Sequence, residues 1–286
     1  MTVVLALGAA LCNAFNVVAQ HRASTAEASP RGVAAVTRAL LRSPLWWVGS
    51  VALIGAFVLQ ALALHAGELS IVQALLVSEV VIALGLRRFW LGQEIQPAAW
   101  FAAALTCGGL ALFVDAAEPQ GGHAAGTAAA WLWSVLTFGS IAGMLTLLGG
   151  RGSPRQRAAS YGAAAAVVWA IEATFIKEMT ETLASRGVAG TLERWPVYAV
   201  IVGGVAGTGL VQAALHVGPL AVSQPLMVAV DPLVSVILAM WIFGEHFTKD
   251  PTQIALGCVG FVAMATGIVL LPRFSPPILA VVEPAW

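Results

Sequence analysis

The chain has 286 residues, of which 59% are hydrophobic and only 10% charged, with no net charge and a mean hydropathy of +0.87. That much apolar surface exceeds what a water-soluble fold of this length buries, so the solvent is lipid, and the zero net charge argues against nucleic acid as a partner. No polar stretch is long enough to form a second domain, which leaves one transmembrane domain over 1–286.

Apolar runs able to cross about 30 Å of hydrocarbon fall at 2–20, 45–65, 69–88, 98–117, 126–148, 158–180, 195–216, 219–243 and 253–272. These predict nine helices in an all-α membrane protein. Nothing basic precedes the first run and a basic loop follows it, so it reads as a span and not as a signal peptide. In the loop 21–44, Arg31, Arg38 and Arg42 share one helical face and Val33, Val36, Leu40 and Leu41 the other. This pattern fits a basic helix on the cytoplasmic leaflet as well as it fits a solvated loop. The tail 274–286, broken at Ser275-Pro276-Pro277, is too short to span. Cys12, Cys107 and Cys258 sit singly in apolar runs and are expected to be small core residues.

The basic residues set an orientation. If the spans alternate, Arg22, Arg31, Arg38, Arg42, Arg87, Arg88, Arg151, Arg155, Arg157 and Arg273 fall on one side. Lys177, Arg186, Arg194 and Lys249 fall on the other. The positive-inside rule then predicts a multi-pass plasma-membrane protein with its N-terminus outside and its C-terminus cytoplasmic.

Two segments repeat each other: His65-Ala-Gly-Glu-Leu69-Ser-Ile-Val-Gln73-Ala-Leu75 and His216-Val-Gly-Pro-Leu220-Ala-Val-Ser-Gln224-Pro-Leu226. Gln60 and Gln212 precede the two copies, and Gly92-Gln93-Glu94 and Gly244-Glu245 close them. Spans one to four thus correspond to six to nine, displaced by five crossings, so equivalent helices run in opposite directions. The expected architecture is two inverted four-helix repeats, 1–120 and 155–273, joined by a connecting helix at 126–150. Secondary transporters are built this way, with the substrate held near the midplane.

Three acids lie near the centres of their spans: Glu79 in the third, Glu172 in the sixth and Asp231 in the eighth. An ionised acid at that depth is expensive and usually faces a cavity, although each could also be a protonated, hydrogen-bonded core group. With Asn13, Asn16, Gln73 and Gln224 they form an oxygen-rich set suited to a hard cation, with the three acids as its metal ligands. No Lys or Arg lies at mid-depth, and Lys177, five residues after Glu172, stands nearer the membrane edge. The balancing charge is therefore expected to be mobile: a metal ion such as Mg2+, a proton, or a cationic substrate. Pro225 and Pro232 free carbonyls near Ala221 and Val228, which an interrupted helix could turn toward the same site. Gly8, Gly55, Gly108, Gly109, Gly203, Gly204, Gly207 and Gly209 are expected to let helices approach closely. His65 and His216, near span ends, suit interfacial hydrogen bonding. No nucleophile constellation sits at membrane depth, so the chain is not expected to be an enzyme or to hold a resident cofactor. Its expected partners are the bilayer and a small cation or small-molecule substrate, with a homodimer allowed.

Leu45-Trp46-Trp47-Val48-Gly49, the span ending Gln60-Ala61-Leu62-Ala63-Leu64-His65, the ending Leu91-Gly92-Gln93-Glu94 and the Gly108-Gly109 helix resemble the drug/metabolite transporter superfamily, EamA-like. Within it the chain looks most like the NIPA-like magnesium transporter branch, with Phe243-Gly244-Glu245 and the Gly257 to Gly267 helix repeating the pattern. The resemblance implies the inverted-repeat fold, a transport role and Mg2+ as substrate. The chain departs from the branch's Ala-Pro and Pro-Leu-Gly pattern at Ala66-Gly67 and Gln73-Ala74-Leu75, keeping proline only at Pro225. Two readings stand beside the divalent-cation carrier: a proton-coupled carrier of an organic metabolite or lipid precursor, and a non-transporting membrane scaffold.

Overall fold

A computed structural model describes residues 1–26, 42–117, 126–218, 220–247 and 250–274. Among them the chain is all-helical: α1 (Thr2–Ala26), α2 (Pro44–Ala66), α3 (Leu69–Leu76), α4 (Ser78–Phe89), α5 (Pro97–Ala117), α6 (Ala128–Gly149), α7 (Pro154–Leu192), α8 (Trp195–Val217), α9 (Leu220–Phe243) and α10 (Pro251–Phe274). Nine spans in this set are long and apolar enough to cross a membrane, α3 and α4 together forming one of them, Leu69–Phe89. The protein is a membrane protein, and the spans among the described residues are as many as expected. The basic stretch with Arg31 and Arg38 and the tail from Ser275 lie outside the described residues, while Arg42 is exposed just before α2.

Helix starts follow local chemistry. Proline opens α2, α5, α7 and α10, where its missing N–H costs no hydrogen bond. The start of α7 adds a capping box between Ser153 and Gln156, and Thr127 caps α6 by accepting from the Ala130 N–H. Two helix ends share one motif. Gly92 (φ 64°) and Gly244 (φ 66°) take the left-handed conformation, and the amides that follow donate six residues back, Gln93 to the Arg87 carbonyl and Glu245 to the Ala239 carbonyl. Gly67 and Gly218 likewise share an extended conformation after α2 and α8.

Burial separates a central layer from a lipid-facing one. In their most apolar 18-residue stretches, the span Leu69–Phe89 and α7 are 61% and 56% buried, against 22% for α6 and for α8. Small residues allow this, since Ala164, Ala165, Ala166, Ala170 and Ala173 let α7 pass through the middle of the bundle. α1 pairs with α2, α7 with α8, and α5 with α10. At the α5–α10 crossing the backbones touch: a methyl group on Gly109 would stand 2.3 Å from the Met264 amide nitrogen, and one on Gly260 2.6 Å from that of Phe113. Gly8 packs against Leu59 and Gly207 against Trp169, but Gly108 and Gly209 meet nothing within 4 Å. Those two glycines are therefore not close-packing positions. Cys107 and Cys258 are exposed and not in the core, because an apolar residue in lipid is as well placed outside as inside.

Three elements depart from the sequence reading. The third span is broken at Val77, where the Ser78 hydroxyl takes up the Leu75 carbonyl at 2.7 Å. The eighth span, which its prolines would allow to be interrupted, is one helix through Pro225 and Pro232. α7 runs on beyond the apolar stretch to a kink at Gly187 (φ 68°, ψ −176°), after which a short second helical piece reaches Leu192, since charged residues end a hydropathy plateau without ending a helix.

Candidate functional site

The helices that enclose the centre of the bundle leave a cavity of about 490 Å³. Glu79, Glu172 and Asp231 all line it, together with Asn13 and Gln73. Each acid arrives from a different helix. The Val77 break places Glu79 in the first turn of α4, where the amide side chain of Asn13 on α1 donates to its Oε2. Asp231 on α9 accepts from the Ser235 hydroxyl one turn later, at 3.2 Å. It lies within electrostatic reach of both other carboxylates. Glu172 on α7 rests against α8, and a methyl group on Gly204 would come within 3.1 Å of its Oε1. Glycine at 203 and 204 thus makes room for this carboxylate. Glu172 has no hydrogen-bond partner among the described residues.

Five of the seven sequence-predicted site residues converge here and two do not. Asn16 is buried on α1 away from the cavity wall, and Gln224, one turn before Met227 on α9, does not line it. Both stand on helices that reach the site and share a helical face with residues that line it, but Gln224 lies one turn beyond its wall and Asn16 is packed outside it. Among the described residues no group of three His, Cys, Asp or Glu side chains is close enough to hold one metal ion directly, Glu79, Glu172 and Asp231 included. They share a chamber wide enough to keep them apart. The chamber walls are largely apolar, with Leu53, Phe57, Trp169 and Met227 among them, and Gln60 and Thr208 add polar groups.

No basic side chain faces the cavity among its lining residues. Lys177, one helical turn and a half beyond Glu172, is engaged elsewhere: its ammonium donates to the Gly67 carbonyl at 2.9 Å and pairs with Glu245 at 3.4 Å. Glu245, 1% exposed, also accepts from the Leu69 amide (2.5 Å), the Ser70 amide (3.2 Å) and the Ser70 hydroxyl (2.6 Å). It therefore caps α3 and complements the positive end of that helix while neutralising Lys177. The sequence marks Glu245 only as the end of a repeat, and its partners lie 68 and more residues away. His65, at the end of α2, meets Glu181 at 3.1 Å on the exposed surface, and His216 is exposed, so neither joins the site.

No family model matches the chain, and no solved structure matches it. It is similar to an uncharacterized protein of Corynebacterium glutamicum, 26% identical over 279 residues, which are 96% of either chain.

Proposed function

We propose that this chain is a secondary membrane transporter of the EamA-like drug/metabolite type, carrying a cation through the cavity lined by Glu79, Glu172 and Asp231. The observation that carries the reading is a central chamber with three carboxylates and no basic side chain in its wall. Isolated charges in lipid-embedded protein are costly, so a mobile cation is the natural complement. An inverted repeat is supported by matched details: the Gly92 and Gly244 helix ends, the extended Gly67 and Gly218, and the α1–α2 and α7–α8 pairings. On this view α6 is the connector, and the residue offset between the halves grows from 151 at Gln73 and Gln224 to 152 at Gly92 and Gly244. With the second offset, Glu79 and Asp231 become equivalent.

Two cargo classes follow. Mg2+ or another hard divalent cation is the cargo that the family resemblance implies, held through retained waters because the carboxylates are spread apart. The second reading, a proton-coupled carrier of an organic metabolite, is favoured by the cavity's size and apolar walls. Uptake of Mg2+ and of candidate metabolites into proteoliposomes, with and without a pH gradient, separates them. Mg2+ flux independent of the gradient supports the first, and gradient-driven metabolite uptake without Mg2+ flux supports the second. Flux of neither, in protein shown to be folded, contradicts the transporter reading.

The orientation belongs to the same proposal: N-terminus outside, C-terminus cytoplasmic, in the plasma membrane. Single cysteines replacing Arg151 and Glu193, in a chain freed of Cys12, Cys107 and Cys258, should react with an impermeant reagent from opposite faces. Labelling from the same face would remove both the orientation and the inverted repeat.

A further inference from the structure

The cavity's dimensions say more about the cargo than its charge does. At about 30 Å³ per molecule in the liquid, its roughly 490 Å³ is room for about sixteen waters. A divalent ion with six waters takes up less than half of that. Such an ion keeps its shell only where oxygen ligands hold the waters. Here much of the wall is Leu53, Phe57, Trp169 and Met227, which hold none. The volume falls instead in the range of pockets that enclose small organic molecules.

A second feature points to an occupant. Gln73 is 3% exposed and lines the cavity, yet its amide nitrogen has no acceptor among the described residues. Buried amide donors are nearly always paired. An oxygen on a cargo in the chamber that Gln73 lines can accept from this donor.

We infer that the cavity binds an organic cation: a compact molecule with an ammonium head set among Glu79, Glu172 and Asp231, and an apolar body against Trp169 and Phe57. The head takes the place of the missing counter-charge, and the indole face of Trp169 adds cation–π attraction. Trp169 owes its position to Gly207, because a methyl group there would stand 2.4 Å from the indole nitrogen. This inference rests on the cation-transport reading and narrows it to one chemical class.

The test is calorimetric titration of the full chain in detergent with tetraethylammonium, phenethylammonium and MgCl2. Phenethylammonium and tetraethylammonium should bind saturably. Affinity for both should fall at least tenfold in Asp231→Asn, and that for phenethylammonium several-fold in Trp169→Leu. Thermal unfolding of both variants checks that they are folded, and Trp169→Phe, which keeps an aromatic face, should retain most of the binding. Saturable Mg2+ binding that is lost in Asp231→Asn, with neither organic cation binding or competing, overturns the organic-cation inference and leaves the transport reading standing. Binding of none of the three overturns both.

Discussion

Glu245→Ala should lower the apparent unfolding temperature in detergent by on the order of 10 °C and leave little monodisperse protein. The carboxylate satisfies two amides, one hydroxyl and one ammonium, all drawn from segments that meet at the Gly67–Ser70 turn and α7. Removing one partner of a buried ion pair costs about 3–5 kcal/mol, because the other charge stays buried and unpaired. That is a large share of the roughly 5–15 kcal/mol by which folded domains usually exceed their unfolded states. Lys177→Met should cost less than Glu245→Ala, since the carboxylate would still be held by three donors. The double variant Lys177→Met/Glu245→Gln should recover part of the loss, because no unbalanced charge remains. A double-mutant cycle built from Lys177→Met, Glu245→Gln and their combination measures the coupling on the unfolding temperatures. Independent, additive losses would show that the two charges are not a working pair, and parental stability in Glu245→Ala would show that the cap is not made.

Two neighbouring glycines should answer the same substitution with opposite signs. In Gly109→Ala the new methyl meets the Met264 amide nitrogen at 2.3 Å and the Gly260 carbonyl oxygen at 2.6 Å, both of them backbone atoms. Helix backbones cannot rotate away as side chains do, so α5 and α10 must separate along a crossing that Gly260 and Gly267 also keep narrow. Forcing extra carbon into such a packed contact costs about 1–3 kcal/mol or more. Gly108→Ala adds the same methyl where nothing stands within 4 Å, and should gain up to about 1 kcal/mol from the lost flexibility of a mid-helix glycine. Thermal unfolding of the two single variants is the check. Equal effects would mean that the α5–α10 backbones are not in contact.

The spans were legible because lipid makes hydropathy a direct reading of depth, and because proline marks so many helix starts. Glu79, Glu172 and Asp231 were legible for the complementary reason: few functions other than a cavity explain acids at mid-span. What escaped depends on packing and on long-range pairing. Asn16 and Asn13 share a helical face, and only packing decides that Asn13 meets Glu79 while Asn16 is buried outside the cavity wall. The break at Val77 involves neither proline nor glycine, so no residue announces it. The Pro225 and Pro232 positions announce a break that the helix does not make. Glu245 looks like a loop acid until the Leu69 and Ser70 amides are seen to converge on it. The spread of the three carboxylates is a tertiary distance that no spacing along the chain encodes.

The central claim is that the cavity carboxylates hold the transported cation, and near-isosteric neutralisation tests it most directly. Uptake into proteoliposomes of Mg2+ and of tetraethylammonium should be compared for the parent, Glu79→Gln, Glu172→Gln and Asp231→Asn. Whichever cation the parent moves should enter at least tenfold more slowly in Glu79→Gln and Asp231→Asn. Their unfolding temperatures should equal or exceed the parent's, since a neutral amide loses the desolvation cost of a buried charge. Parental uptake should also decline as the medium is acidified, because protons compete for the same oxygens. Parental uptake rates in all three neutral variants, with the proteins folded and reconstituted, would contradict the claim.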